Sequence, residues 1–369
     1  MRIVMWYHSL VSDWNHGNAH FLRGIVTELQ ARGHEVVVLE PENGWSRSNL
    51  LTRVGRHALS GFHAAYPTLQ STLYDPAKAD VGRHLEGADV VLVHEWNDAA
   101  LVAAIGRERA AGGYHLLFHD THHRSVTEPD GMAGYDLSEY DGVLAFGEVI
   151  RHRYLDEGWA AQVWTWHEAA DVRVFRPLPD RPQEGDLVWI GNWGDGERTA
   201  ELEEYLVTPA AALGLRTQVY GVRYPDDARA RLAETHIDYR GWLPNYAVPE
   251  TFARHAMTVH VPRRPYAIAL PGIPTIRVFE ALACGIPLVC APWDDAEHLF
   301  TPGADYRVAE NGAAMRSQLA DLLNDREAAA AMSAHGRHTI LQRHTCAHRV
   351  DELLAITASL DASLSEVPA

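Results

Sequence analysis

The sequence predicts an α/β protein built from two doubly wound parallel sheets, each in its own domain. Short apolar stretches of strand length alternate with amphipathic, helix-length stretches along the chain, a pattern typical of βαβ units. At 369 residues the chain is too long for one ordinary hydrophobic core and fits two domains with a cleft between them. A polar, proline-rich stretch at 176–185 separates two series of these units and is the predicted interdomain linker.

The first series predicts six strands and three main helices. The strands are expected at 2–7, 35–39, 89–94, 114–119, 142–146 and 162–166. The helices are expected near 18–32, 97–111 and 147–157. Asn18 is a predicted N-cap of the first helix, and Gly33 stands where a glycine ends a helix.

The second series predicts five strands followed by a helical C-terminus. Its strands are expected at 186–191, 216–221, 236–240, 257–262 and 287–290, and its helices include 249–255 and 275–284. After about residue 311 the pattern is wholly helical through Leu364. The expected domains are an N-terminal Rossmann-like domain at 1–178 and a C-terminal Rossmann-like domain at 186–343. A last helix at 344–369 is expected to pack back toward the first domain.

Composition narrows the classes of partner. No stretch approaches the roughly 20 apolar residues that span a bilayer, and the N-terminus lacks a secretory signal, so we expect a cytoplasmic protein. The three cysteines, Cys284, Cys290 and Cys346, lack CxxC pairing and are expected to be reduced. A net charge of −17 argues against nucleic acid as a partner. Lys78 is the only lysine, so a phosphate site in the second half must use arginine, backbone amides or helix N-termini.

Ligands of open parallel sheets bind at the carboxyl ends of the strands, so the segments that follow strands are the places where a site is expected. In the first half, Gly17 and Asn18 open a helix whose amides favour an anion or a sugar hydroxyl, although an ordinary βα turn is the alternative. The segment 118–125 is dense in groups that donate, accept or carry a proton, and His119, Asp120 and His122 are its candidate catalytic residues.

Metal binding is the more specific alternative to a catalytic role for the histidines, and their spacing disfavours it. Adjacent histidines diverge, and no further ligand near the 118–125 segment lies at a recognised zinc spacing. His344 and His348 have i, i+4 spacing, but a packed or solvated helix face explains them better than a metal. We therefore expect no metal and no cofactor.

Two strand-ending loops of the second half are suited to a nucleotide. The first, a glycine-rich loop at 188–198, can bring amides close to a diphosphate but lacks GxGxxG and the P-loop lysine. The second, at 239–244, offers an aromatic edge to a planar base, or is a plain turn. The candidate donor-binding residues of these loops are Gly191, Asn192, Trp193, Arg198, Gly241, Trp242 and Leu243.

The segment 261–287 carries the strongest signal. A Gly-Pro loop feeds a helix whose first turn can face phosphate oxygens, with Thr275 as the expected cap of its free amides. Glu280 lies about one turn further on, positioned to accept hydrogen bonds from ribose hydroxyls, with a buried structural role as the alternative. The candidate donor-binding residues here are Arg263, Arg264, Gly272, Ile273, Pro274, Thr275, Arg277 and Glu280.

These residues resemble the retaining GT-B glycosyltransferases, specifically the family 4 group and the nearby spore-maturation CgeB-like enzymes. Residues 279–287 match the family's FEAxACGxP segment, whose glutamate contacts the nucleotide ribose. His119-Asp120, 141–148 and 171–177 resemble further family segments in the expected order. The resemblance covers nearly the whole chain and implies the GT-B architecture, two Rossmann-like domains facing a cleft.

The chain departs from the family at two positions. Gly272 replaces a glutamate that lies near the transferred sugar, so contacts there are expected from the amides of Gly272 and Ile273 or from other groups. Asn192 replaces an arginine, and Arg198, Arg263, Arg264 and Arg277 are the available substitutes.

The resemblance implies transfer of a hexose from a nucleotide diphosphate sugar, with UDP favoured, to an unidentified acceptor, without metal and with retention. It also implies that the domain at 1–178 is on the acceptor side and that the domain at 186–343 binds the nucleotide sugar. Retention needs no strong base, whereas inversion would need Asp120 or His122, and His16 is a further candidate proton carrier. Two alternatives stay open: a GT-B nucleotide-sugar epimerase, and a catalytically idle nucleotide-sugar-binding protein.

Overall fold

The computed structural model describes residues 1–15, 17–109, 112–179 and 181–365, so the candidate proton carrier His16 lies outside the described residues. The chain divides into two compact units. Unit 1 comprises Met1–Glu168 together with Cys346–Ala369, and unit 2 comprises Ala169–Thr345. The chain therefore leaves unit 1 after Glu168, and the expected linker at 176–185 belongs to unit 2.

Unit 1 is built on a seven-stranded sheet in which every strand pair is parallel. The order β3-β2-β1-β4-β5-β6-β7 places β4 between β1 and β5 at the centre. All residues of β4 and β5 are buried, as expected for a parallel sheet covered on both faces. The strands are β1 Arg2–Trp6, β2 Glu35–Pro41, β3 Ser71–Tyr74, β4 Val90–His94, β5 His115–Asp120, β6 Gly142–Ala145 and β7 Val163–Thr165.

Helices cover this sheet and include the last helix of the chain. They are α1 Ala19–Ala31, α2 Trp45–Arg53, α3 His57–Ala65, α4 Val81–Leu85, α5 Ala99–Glu108, α6 Arg124–Thr127, α7 Pro129–Ala133 and α8 Glu148–Asp156. The C-terminal helix Cys346–Ser365 packs against α1 within unit 1. Trp166 ties it down further, because its indole nitrogen donates to the Arg349 carbonyl at 2.8 Å.

Unit 2 has a six-stranded parallel sheet in the order β10-β9-β8-β11-β12-β13. Its strands are β8 Gly185–Ile190, β9 Thr217–Tyr220, β10 Asp238–Gly241, β11 His255–His260, β12 Leu288–Cys290 and β13 Arg307–Val308. Its core packs the apolar faces of β8, β9 and β11 against the flanking helices.

The helices of unit 2 include a π-helical turn and a 3₁₀ turn. In chain order they are α9 Thr199–Leu202, the π turn Glu203–Val207, α10 Thr208–Ala212, α11 Asp226–Glu234, the 3₁₀ turn Asn245–Ala247, α12 Val248–Ala253, α13 Arg264–Ala269, α14 Ile276–Cys284, α15 Gly312–Asn324 and α16 Arg326–Arg343. The helix Cys346–Ser365 of unit 1 is α17. No helix of the described chain is both long and apolar enough to cross a membrane.

The structure confirms each predicted strand to within a few residues and adds two short ones, β3 and β13. Both added strands lie at the edge of their sheet, where partial exposure leaves a weak apolar signal. Asn18 occupies the predicted N-cap position of α1, but its backbone is already helical and its side chain caps no amide. Gly33 does follow α1 with φ +84°, and the three cysteines are free and buried.

Candidate functional site

Two groups of polar side chains lie where the central strands end, one in each unit. In unit 2 the group surrounds the N-terminus of α14 and the loops that follow β8 and β11. In unit 1 the group surrounds the ends of β1, β4 and β5.

Arg198 is the central residue of the unit 2 group. Its guanidinium is buried and donates to the Val261 carbonyl at 2.9 Å and to the carbonyl and Oδ1 of Asn192 at 2.7 and 2.8 Å. It also lies 5.1 Å from the centre of the Trp189 ring. All of these partners are neutral, and among the described residues no carboxylate lies within ion-pair distance of Arg198.

Arg198, Arg263 and Arg277 form what we call the arginine cluster. Burial and then the positive charges of Arg263 and Arg277 lower the pKa of Arg198 to about 10. Arg263 donates to Asn192 Oδ1 at 3.1 Å and pairs with Glu197 at 2.8 Å. The Asn192 amide thus accepts from two guanidiniums and holds them together. Asn192 was predicted to bind the donor, and in this structure its side chain holds Arg198 and Arg263 in position.

The N-terminus of α14 is free of side-chain caps. Thr275 occupies the N-cap position with extended backbone, but it does not cap an amide, so that expectation was wrong. Its hydroxyl instead bonds His260 Nε2 at 2.9 Å. Burial, then the charges of Arg198 and Arg277, lower the pKa of His260 to about 3, so this histidine is neutral at pH 7. The Val278 amide donates to the Thr275 carbonyl at 3.0 Å, whereas the amides of Ile276 and Arg277 at the start of α14 remain available to an anion.

Glu280 is fully buried on α14 and already engaged. Asn245 Nδ2 donates to its Oε1 at 2.7 Å, and Arg277 pairs with its Oε2. Asn245 and His260 were missed in the sequence, although His260 ends an apolar strand, which is the signal that could have found it.

The loop after β10 offers a second kind of contact. Gly241 ends the strand at φ +74°, and its carbonyl accepts from the Gly221 amide at 2.8 Å. The indole N–H of Trp242 is buried and has no acceptor among the described residues. An unmet buried donor is costly, so this group is suited to a ligand acceptor such as a base or ribose oxygen. Leu243, next in the chain, is half-buried.

The other predicted donor-binding residues of unit 2 lie in different surroundings. Trp193 is buried in the hydrophobic core, 5.3 Å from the ring of Tyr224. Arg264 is exposed and makes a bidentate pair with Glu201. The amides of Gly272 and Ile273, expected to contact a sugar, donate to the Asp294 and Leu270 carbonyls. Gly191 follows β8, with its carbonyl bonded to the Tyr224 hydroxyl at 2.9 Å, and Pro274 is buried before α14.

His119 is at the centre of the unit 1 group. It is 1% exposed, and its Nδ1 shares a 2.7 Å hydrogen bond with the Tyr7 hydroxyl. Its Nε2 has no hydrogen-bond partner among the described residues and lies near Trp166, whose ring centre is 4.8 Å away. Burial lowers the pKa of His119 to about 3, so it is neutral at pH 7. It is suited to holding a group in position rather than to carrying a proton.

Asp120 and Glu95 form a buried carboxyl pair. Asp120 accepts from the His122 amide at 3.1 Å and from the Tyr154 hydroxyl at 3.0 Å, and both carboxyls are fully buried. Burial raises the pKa of Asp120 to about 6. Burial and then the charge of Asp120 raise the pKa of Glu95 well above its ordinary value. At neutral pH the pair therefore retains a proton.

A chain of hydrogen bonds fixes the orientation of His94 beside this carboxyl pair. The Trp96 amide donates to His94 Nδ1 at 3.2 Å, so Nε2 carries the proton and donates to the Thr121 hydroxyl at 3.0 Å. Thr121 in turn donates to Glu95 Oε1 at 3.4 Å. His94 and Glu95 were missed in the sequence, although two polar residues directly after an apolar strand were the signal.

The structure brings the remaining unit 1 candidates to the same edge. Asn18 donates from Nδ2 to the Thr121 hydroxyl, and Gly17 accepts from the His20 amide at the start of α1. His122 is half-buried, more exposed than His119 or Asp120, and its ring lies 5.1 Å from Trp96. Within the described residues no group of three or more His, Cys, Asp or Glu is arranged to hold a metal ion.

Comparisons with known proteins agree with this architecture. Residues 198–355, less than half of the chain, match the model of a family described as glycosyl transferase-like. No curated protein matches the sequence. Many solved structures match nearly the whole chain, among them the following three.

A sucrose-phosphate synthase from Thermosynechococcus elongatus aligns with TM-score 0.65 and 14% identity over 98% of this chain and 100% of its own. HepE of Anabaena, in complex with UDP, aligns with TM-score 0.68 and 13% identity over 97% and 100%. An α-glucosyltransferase in complex with UDP and a 13-mer DNA aligns with TM-score 0.71 and 13% identity over 97% and 99%. At these identities the likeness establishes the fold, and the two Rossmann-like units have the GT-B fold of glycosyltransferases.

Proposed function

We propose that this protein transfers a hexose-type sugar from a nucleotide diphosphate sugar, with UDP favoured as the nucleotide, to an unidentified acceptor. The observation that carries the proposal is the buried Arg198, whose charge is met only by neutral acceptors. A buried charge without a counterion is costly, so the site favours an anionic ligand.

A diphosphate matches the charge and geometry around Arg198. The arginine cluster contains three guanidiniums, and the carboxylates paired with it are those of Glu197 and Glu280. The uncapped N-terminus of α14 adds amide donors and the positive end of a helix dipole. Together these groups supply the charge stabilisation that a leaving diphosphate needs, so we propose that the reaction needs no metal.

The nucleoside would lie beside the phosphate site. Glu280 and Asn245 are positioned to bind the ribose hydroxyls, and the Trp242 indole N–H is positioned to donate to the base or ribose. UDP is favoured because residues 198–355 match a glycosyl transferase-like family and because structural neighbours are described in complex with UDP.

Retention of the anomeric configuration is the proposed stereochemical course. Asp120, one of the two residues that could serve as the base of an inverting enzyme, is buried, with both oxygens accepting hydrogen bonds. In a retaining reaction the leaving phosphate takes the acceptor proton, and no separate strong base is required. The finer assignment, to family 4-like enzymes near the CgeB-like group, rests on the segment 279–287.

Calorimetric titration with UDP and with uridine, in EDTA, tests the phosphate site. Arg263→Gln should weaken UDP binding about tenfold or more, because a charge-assisted hydrogen bond is lost, and should leave uridine binding unchanged. Arg231→Gln, which removes a guanidinium paired with Glu203 elsewhere in unit 2, is the matched control. Equal UDP affinity for the wild type and Arg263→Gln would contradict the proposed site.

Incubating the preferred nucleotide sugar without acceptor separates the three functional readings. A transferase should slowly hydrolyse the donor, whereas an epimerase would form a new sugar nucleotide. Tight binding with neither product, also after acceptors are supplied, would identify an idle binding protein. The anomeric configuration of a transfer product then decides between retention and inversion.

A further inference from the structure

The loop that follows β12 is tied to the loop that precedes α14. The Asp294 carbonyl accepts from the Gly272 amide at 2.6 Å, which joins the two loops. Asp295 fixes the rest of the turn, because its two carboxylate oxygens accept from the amides of Leu299 and Phe300 at 3.0 and 2.9 Å. Glu297 projects from this fixed turn.

The backbone beside Glu297 is strained. His298 has φ +52°, a conformation that residues other than glycine rarely adopt. Such a conformation persists only when the surroundings enforce it, and here the next two residues, Leu299 and Phe300, are buried. Strain of this kind clusters at ligand sites, where it holds a side chain in a required position.

Gly272 leaves the space that Glu297 occupies. A Cβ atom at position 272 would lie 2.6 Å from both Cγ and Oε1 of Glu297. Gly272 also has φ +88°, which disfavours any residue with a side chain. A side chain at position 272 would therefore displace the Glu297 carboxylate from the position that it occupies.

We propose that Glu297 binds hydroxyl groups of the transferred sugar. Its half-buried carboxylate lies against Gly272, three residues before the N-cap of α14, where the proposed function, on which this inference rests, places the diphosphate. A sugar attached to the terminal phosphate extends from that point. The resemblance leads one to expect a carboxylate at position 272, and here a different loop supplies one.

A carboxylate in this position has opposite effects on two ligands. It accepts charge-assisted hydrogen bonds from sugar hydroxyls, which strengthens binding of the intact donor. Its negative charge repels a free diphosphate close by, which weakens binding of the product. A purely structural role for Glu297 would instead change the affinity for both ligands in the same direction.

The test is Glu297→Gln, titrated with UDP and with whichever of UDP-glucose, UDP-galactose and UDP-N-acetylglucosamine the wild type binds most tightly. We expect UDP to bind as tightly as to the wild type, or more tightly. The nucleotide sugar should bind about 10- to 100-fold more weakly, the range for losing hydrogen bonds to a charged group. Unchanged affinity for the nucleotide sugar, or equal losses for both ligands, would overturn the proposal.

Asp294→Asn is the matched control, since it neutralises an exposed carboxylate in the same loop and leaves the backbone contact with Gly272 in place. It should bind both ligands like the wild type. Melting temperatures of both variants check that the turn still folds. If the wild type bound neither UDP nor any sugar nucleotide, the proposed function itself would fail, whereas wild-type behaviour of Glu297→Gln refutes only the role of Glu297.

Discussion

Replacing Asp120 with asparagine should change how the stability of the protein depends on pH. In the wild type, Asp120 and Glu95 are buried together, and burial raises the pKa of Asp120 from 3.8 to about 6. Asparagine keeps the shape and an acceptor for the His122 amide but cannot ionise. The variant therefore lacks the cost of ionising a buried carboxyl.

The magnitude follows from that pKa. A group with a raised pKa in the folded state contributes stability that is complete below its unfolded pKa, near 4, and is lost as pH rises through about 6. The rise from 3.8 to about 6 corresponds to roughly 3 kcal/mol. The free energy of unfolding of Asp120→Asn, relative to the wild type, should therefore increase by about this amount between pH 4 and pH 7. Relief of Glu95, which loses a neighbouring charge, acts in the same direction.

Urea unfolding at pH 4 to 7.5, followed by circular dichroism, measures this difference at each pH. Because the chain has two units, the transition of unit 1 should be identified by hydrogen exchange of the β5 amides. Asp130→Asn, which changes an exposed carboxylate in the same unit, should differ from the wild type by a constant amount. A pH-independent difference for Asp120→Asn as well would refute the buried carboxyl pair.

Three further predictions concern unit 2. Gly221→Ala should destabilise the protein by about 3 kcal/mol or more in urea unfolding, because a Cβ would lie 1.9 Å from the Gly191 carbonyl oxygen. The control is Gly214→Ala, which should cost only about 1–2 kcal/mol because position 214 has φ +61° but open space around it. Glu280→Gln should reduce the preference for UDP over 2′-deoxy-UDP in calorimetry, and an unchanged preference would remove this residue from the ribose site. The ring resonances of His260 should not titrate between pH 5 and 8 in NMR, because its pKa is lowered to about 3. The folded state keeps His260 neutral, so this residue lowers the free energy of unfolding only as pH falls below about 6.5.

The fold was predictable because local pattern and architecture agree. Apolar strands alternating with helices indicate parallel sheets, and strand ends indicate where polar residues gather. Sequence order, however, does not give the order of strands within a sheet. The structure inserts β4 between β1 and β5, which brings His94 and Glu95 next to Tyr7 and His119. That neighbourhood is a property of the sheet, and no short segment encodes it.

The environment of each candidate side chain was harder to predict than its location. Arg198 was expected to face phosphate, and the structure shows that it also holds the Asn192 loop and the Val261 carbonyl in place. Trp193, one residue beyond Asn192, is buried in the core. The orientation of a single peptide decides whether a loop residue points toward a ligand or into the core. Glycine-rich loops allow several such orientations, so the sequence alone does not fix this choice.

The charges at the two strand-end groups favour unit 2 over unit 1 as the place for the proposed diphosphate. The unit 1 group contains two buried carboxyls, Glu95 and Asp120, and a neutral His119. Its nearby cation, Arg124, already pairs with Glu95 at 3.8 Å, so a phosphate placed there would be repelled by the carboxyls. The unit 2 group has an excess of guanidinium and free helix amides. Gly17 and Asn18, predicted to face an anion or a sugar hydroxyl, lie with the first group, and their surroundings therefore favour contact with a neutral hydroxyl over contact with an anion.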